Sequence, residues 1–136
     1  MKTHTTNYFN TLITVAVDTK ANKGEAPKTK VEGKSIAEMQ FDILINKPYK
    51  YNSDEVLVHI FAERNEFTDM NLAKEVFFSK GQACLRTSPL AKTYGWGIHF
   101  NKEGRIALYG METLEYENLL EDKTLDILPA MRSKSL

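Results

Sequence analysis

The chain has 136 residues, 42% of them hydrophobic and 26% charged, with eighteen basic side chains cancelled by eighteen acidic ones. This is the size and composition of one globular domain, 1–136, that buries roughly two-thirds of its unfolded surface, enough for a core without covalent staples; long disorder is not expected. Zero net charge argues against a nucleic-acid binder, because such binding draws on excess cations that release counterions from phosphate.

In chain order, Leu12-Ile13-Thr14-Val15-Ala16-Val17 is short, β-branched and bounded by polar residues, which predicts a strand. Residues 18–34 are a lysine-rich loop with Gly24, Pro27 and Gly33 and no apolar period. Ser35-Ile36-Ala37-Glu38 has the form of a capping box opening a helix through Met39, Ile43 and Leu44, with Pro48 beyond its end. Ser53, followed by Asp54 and Glu55 in a first turn that favours acids, starts a second helix through Val56, Leu57, Ile60, Phe61 and Arg64. Val56, Val58 and Ile60 also alternate, so the cap decides for helix. A short third helix is expected near 69–75.

Residues 82–87, 94–101 and 105–111 read as strands, and Lys102-Glu103-Gly104 suits a type I turn closed by a glycine at positive φ. Thr113 caps a helix carrying Leu114, Tyr116, Leu119 and Leu120, and Leu125, Ile127 and Leu128 form a last apolar turn before Pro129. The predicted fold is α+β: an antiparallel sheet of about four strands with three or more helices packed mainly on one face.

Strand parity then defines a face. With 102–104 as the loop, Phe100 faces Ile106, Ile98 faces Leu108 and Trp96 faces Gly110, so the large apolar residues align on one side. The other side receives His99 across from Ala107, Gly97 across from Tyr109 and Gly95 across from Met111. If 82–87 pairs with 94–101, Gln82, Cys84 and Arg86 join them. The candidate binding face is therefore Cys84, Arg86, Gly95, Gly97, His99 and Tyr109. Alternate strand glycines mark close approach by a ligand or another backbone, and Arg86 with Tyr109 would suit an anionic or planar group. The simpler reading is that the glycines admit a packed helix, or that Tyr109 covers Gly97.

Specific chemistry is sparse. Gly95-Trp96-Gly97 lacks a third glycine and lies inside a strand, so it is no dinucleotide fingerprint. His4, His59 and His99 show no metal-ligand spacing, and neither a metal nor a cofactor is expected. His59 reads as a rim residue of the second helix. Cys84, the only cysteine, excludes an intramolecular disulfide and fits a reducing compartment. Near His99 it would be a candidate nucleophile, but a lone cysteine is more often a small buried hydrophobe.

The opening Met1-Lys2-Thr3-His4 lacks the apolar run of a signal peptide, 133–136 is no recognised targeting signal, and no segment is apolar enough to span a membrane. Cytoplasmic placement without membrane contact is the expectation. Charge is segregated along the chain, however. Lys20, Lys23, Lys28, Lys30 and Lys34 outnumber Glu25 and Glu32, whereas Glu112, Glu115, Glu117, Glu121, Asp122 and Asp126 crowd another stretch. These are a solvated loop and helix face, or patches that attract each other within the chain or between copies in a homo-oligomer.

The run Gln82-Ala83-Cys84-Leu85-Arg86-Thr87-Ser88-Pro89-Leu90-Ala91-Lys92-Thr93-Tyr94-Gly95-Trp96-Gly97-Ile98-His99-Phe100 resembles a family of short bacterial proteins classed only as a domain of unknown function. So do Glu103-Gly104-Arg105-Ile106-Ala107-Leu108-Tyr109, the tail Ala130-Met131-Arg132-Ser133, Thr6-Asn7-Tyr8-Phe9 and Pro48-Tyr49-Lys50-Tyr51. The resemblance implies a bacterial cytosolic protein of one domain and brings no activity, cofactor or catalytic residue. The expected function is a non-enzymatic binding or protein-interaction module. The alternative is a small-anion sensor or enzyme with Arg86 as anion anchor, His99 as general base and Tyr109 as stacking wall.

Overall fold

Leu12 and Ile13 lie side by side at the centre of the sheet, both fully buried, in a strand β1 that covers Thr11–Thr14. The computed structural model describes residues 5–132, so His4 and the tail 133–136 lie outside the described residues. β1 ends earlier than the apolar run through Val17 predicts. Beyond Thr14 the backbone turns to other partners: the Val15 amide to the Tyr116 hydroxyl, and the Ala16 amide to the Ala91 carbonyl.

Four strands form one sheet in the order β3-β2-β1-β4, with β2 at Trp96–Phe100, β3 at Ile106–Gly110 and β4 at Asp126–Pro129. The β2–β3 register is the predicted one, Trp96 opposite Gly110, Ile98 opposite Leu108 and Phe100 opposite Ile106. Gly104, at φ 79°, closes the turn by donating to the Asn101 carbonyl, and the Asn101 amide bonds the Arg105 carbonyl. Glycine adopts this left-handed conformation without the Cβ penalty.

Two expectations are corrected. The sheet is mixed rather than antiparallel, because β4 runs parallel to β1. Its residues read as a last apolar turn, since so short an apolar run has no periodicity to separate strand from turn. The Asp126 and Ala130 amides both point to β1, at 2.8 and 2.9 Å from the Asn10 and Thr14 carbonyls. By alternation Pro129, which has no amide hydrogen, turns its missing donor to the open edge, where proline is tolerated. Residues 82–87 are not a strand either: β1 holds the edge of β2 assigned to them. They run irregularly into one 3₁₀ turn at Leu85–Thr87.

Helices α1 (Ile36–Leu44), α2 (Ser53–Arg64), α3 (Met70–Phe77) and the single turn α4 (Pro89–Lys92) precede the β2–β3 hairpin. Met39 and Leu44 of α1, Val56 and Ile60 of α2, and Leu85 and Ala91 meet Ile13, Ile98, Phe100 and Ile106 in the main core. Val58 and Ala62 instead face Ala73 and Phe77 of α3. α2 is thus buried on two sides, which explains why its sequence also alternates like a strand.

The caps differ in detail from expectation. Ser35 accepts from the Glu38 amide, but the Glu38 carboxylate turns to the Thr29 hydroxyl at 2.5 Å and so ties α1 to the lysine loop. The reciprocal box sits on α2, one residue earlier than Ser53: Asn52 accepts from the Glu55 amide at 2.8 Å and Glu55 from the Asn52 amide at 3.0 Å. α3 is capped by Asp69. The last helix, α5 (Leu114–Leu120), is capped by Thr113 as predicted, and its buried Tyr116 lies on Gly97, on the other side of the sheet from the main core. No helix among the described residues is long and apolar enough to cross a membrane.

Candidate functional site

With Ile98, Phe100 and Ile106 turned into the core, Gly97, His99 and Tyr109 share the opposite face of the hairpin. What joins the last two is a residue that strand parity did not select. The Tyr49 hydroxyl lies 2.7 Å from His99 Nδ1 and 2.8 Å from the Tyr109 hydroxyl. Tyr49 is in the left-handed region at φ 60°, a conformation uncommon for so bulky a residue. It is held there by its amide on the Ile106 carbonyl at 2.7 Å, while the Ile106 amide returns to the Tyr51 carbonyl at 2.9 Å. Residues 48–51 are therefore stapled to the free edge of β3.

Burial, followed by the hydrogen bond with Tyr109, raises the Tyr49 pKa far above the ordinary phenol value, so its hydroxyl stays protonated. Burial lowers the His99 pKa below 6.5, against the opposing pull of Asp122. The proton chain runs either from Tyr109 through Tyr49 to Nδ1 or in reverse, and both directions give the Tyr49 hydroxyl one donated and one accepted hydrogen bond. Linkage then has a definite sign. His99 binds a proton more weakly folded than unfolded, so its contribution is complete above the unfolded value and is lost as pH falls through the folded one. We expect thermal stability to drop on acidification below about pH 6.5, and His99→Gln to flatten that slope, read by melting temperature against pH.

The glycines are occupied by the chain itself. A Cβ on Gly97 would lie 2.5 Å from the Tyr116 ring, and one on Gly95, at φ 80°, would lie 2.2 Å from the Lys23 carbonyl oxygen. Helix packing on one glycine and loop packing on the other thus cover the floor that the alternation exposes.

Cys84 and Arg86 are placed elsewhere. Leu85 between them enters the main core. Cys84 Sγ accepts from the Tyr8 hydroxyl at 3.0 Å, and Tyr8 packs edge-on against Phe100. The Tyr8 pKa is raised to about 12, by burial first and then by that hydrogen bond. Arg86 Nε donates to the Pro129 carbonyl at 2.9 Å, and its own carbonyl accepts from Met131 at 2.8 Å. Arg86 thus clips the outer side of β4, satisfying backbone groups that an open edge would leave to another chain. The six residues fall into three environments rather than one face.

A larger concavity lies among the helices, where α1, α2 and α3 meet the 47–52 segment and Asn7. It is a cleft of about 710 Å³ with an apolar floor of Ile43, Val56, Val58 and Met70. Its carboxylates already have donors. Asp42 holds Lys34 at 2.6 Å. Asp54 accepts from the Thr6 amide and hydroxyl and from the Thr5 hydroxyl at 2.7 to 2.8 Å. Glu55 is engaged in the α2 cap. Lys47 and Lys74 also line the cleft, and neither has a carboxylate partner among the described residues. Lys47 Nζ lies 5.9 Å from the Tyr51 ring centroid. His59 is an exposed residue of α2, as expected for a rim position of that helix, and it also lines the cleft.

No single periodic pattern marks this site, because its walls come from separate helices. The one local signal was the acidic first turn of α2. Among the described residues no three His, Cys, Asp or Glu side chains gather as a metal-binding group. Comparison with curated proteins and with solved structures returned no match. The family comparison did: over residues 3–136 the chain matches, and belongs to, a family of unknown function, DUF6157.

Proposed function

We propose that this protein is a non-enzymatic binding domain whose helical cleft takes a small organic anion with an apolar body. The observation that carries this reading is the imbalance of commitments within the cleft. Asp42 is paired with Lys34, and the Asp54 and Glu55 oxygens are held by neutral hydroxyl and amide donors that orient them without cancelling their charge, whereas Lys47 and Lys74 have no anionic partner among the described residues. The volume is that of an ordinary small-molecule site, and the apolar floor supplies the contact area such sites use. Charge-assisted hydrogen bonds from the two amines would orient a carboxylate or phosphate.

A sensor or enzyme centred on Arg86, His99 and Tyr109 has less support, since the Arg86 guanidinium is turned to Pro129 and Tyr49 occupies His99 Nδ1. The single cysteine and the resemblance to short bacterial proteins support a place in a reducing bacterial cytoplasm; recovery from an oxidising compartment would overturn that.

Titration with a panel of aromatic and aliphatic carboxylates and phosphate monoesters, followed by amide chemical shifts, tests the binding reading. We expect shifts confined to 42–59 and 70–74. Replacing Lys47 and Lys74 together with glutamine should weaken binding by about tenfold or more, the scale of a lost charge-assisted hydrogen bond. Preferential binding of amines, or anion-induced shifts unaffected by the double variant, would sink the proposal.

A further inference from the structure

The outer arm of the lysine loop and the acidic stretch around α5 lie on opposite sides of the sheet, while the loop base at 21–25 meets Gly95 and Glu112. The lysine loop is pinned at its base, where the Glu25 amide bonds the Tyr94 carbonyl and the Gly24 amide bonds Glu112. From there its arm runs to the α1 side, held by Thr29 on Glu38 and by Lys34 on Asp42. α1 packs on the core face. The acidic residues surround α5, which packs on the other face through Tyr116 and Gly97.

Both patches have the parts of an interface. The arm ends in a closed turn, Gly33 donating to the Lys30 carbonyl at 2.9 Å, which presents Val31 in full exposure at 104%. Lys28 and Lys30 flank it, exposed and without an ion-pair partner among the described residues; Glu32 is the one acid of that turn. On α5 and its C-cap, Leu114, Glu117 and Glu121 fall at three- and four-residue spacing on the outer face, with Leu114 67% exposed. An apolar centre rimmed by charge is the usual anatomy of a contact surface, and here one patch is the chemical complement of the other.

We propose that the lysine arm of one copy docks on the acidic outer face of α5 of a second copy, giving head-to-tail association. Placement on opposite faces keeps Lys28 and Lys30 from their own α5; within one copy the loop meets the acidic stretch at Glu112, which accepts from the Gly24 amide and feels the charge of Lys23. The two surfaces differ, so the contact is heterologous and propagates into rings or short chains rather than a closed two-fold dimer. Opposite charge supplies specificity and salt sensitivity, and the small apolar centre makes the association weak.

Sedimentation velocity on the full chain tests this at about 10 mM and about 1 M salt, where the screening length is about 30 Å and about 3 Å. We expect concentration-dependent association at low salt, weakened at least about tenfold at high salt. Lys28→Glu with Lys30→Glu should abolish it, as should Glu117→Lys with Glu121→Lys, and an equimolar mixture of the two variants should restore it. Lys80→Glu with Lys102→Glu makes the same change in net charge as the lysine-arm variant, away from both patches, and should leave association intact. A monomer under all conditions overturns the proposal. So does association that survives in the α5 variant, or an equal loss in the control variant. Recovery with bound nucleic acid that competes for the arm, without self-association, would assign the basic patch to a different partner and also overturn it.

Discussion

Gly95→Ala is expected to detach the lysine loop from the sheet. Two independent costs coincide there. The backbone sits at φ 80°, which costs a residue with a Cβ about 1–2 kcal/mol. The new carbon would also lie 2.2 Å from the Lys23 carbonyl oxygen and 3.1 Å from the Ala21 side chain. A backbone carbonyl cannot swing aside as a side chain does, so 21–25 must lift away. That movement breaks the bonds at the loop base, namely Glu25 to the Tyr94 carbonyl, Gly24 to Glu112, and the Trp96 indole to the Glu25 carbonyl. Loss of a few hydrogen bonds at about 1 kcal/mol each, added to the strain, predicts a total of about 3–5 kcal/mol. Limited proteolysis reads the outcome: cleavage within 18–34 should appear at protease concentrations that leave the wild type intact. A variant as resistant as the wild type would show that the loop is not held through Gly95.

The second large effect is expected at Gly97. Its α-carbon packs against the Tyr116 ring, and a Cβ would meet two ring carbons at 2.5 and 2.6 Å. The ring is buried and tethered by the Val15 amide on its hydroxyl at 3.2 Å, so it has little room to yield. Gly97→Val should therefore sit at the upper end of the about 1–3 kcal/mol typical of overpacking. Tyr116→Ala alone should cost about 3–5 kcal/mol, as for other buried aromatics. The informative quantity is their coupling. With the ring removed, the valine side chain enters the vacated space, and the double variant should be more stable than the sum of the singles predicts by about 1–3 kcal/mol. Denaturant unfolding of the four proteins measures this. Strict additivity would mean that α5 does not rest on Gly97, and the glycine face would again be open to an outside ligand.

Sequence and structure diverge in an orderly way between these two glycines. Alternation about the Gly104 turn placed Gly97, His99 and Tyr109 on one face, and the register is the observed one. That inference needed only local information, because a hairpin's pairing is set by its own loop and its own apolar residues. Parity does not extend to 82–87, because alternation carries no information on which segment neighbours β2. β1, some eighty residues earlier in the chain, takes that edge and brings β4 with it. Cys84 and Arg86 left the face for that reason alone. Tyr49 entered the site through a left-handed backbone and a staple on β3, neither of which has a periodic signature.

By itself, then, the sequence determined the α+β class, the helix starts at Ser35, Asp69 and Thr113, the turn at Gly104 and the inward set Ile98, Phe100 and Ile106. These features depend on contacts a few residues apart, whose energies reside in caps, turn dihedrals and side-chain alternation. Only the tertiary structure decided the strand order, the parallel edge strand, the partner of each glycine and the cleft walled by three helices. Those outcomes depend on which distant segments fit against one another, and many pairings of similar apolar content share the same local pattern until packing selects one.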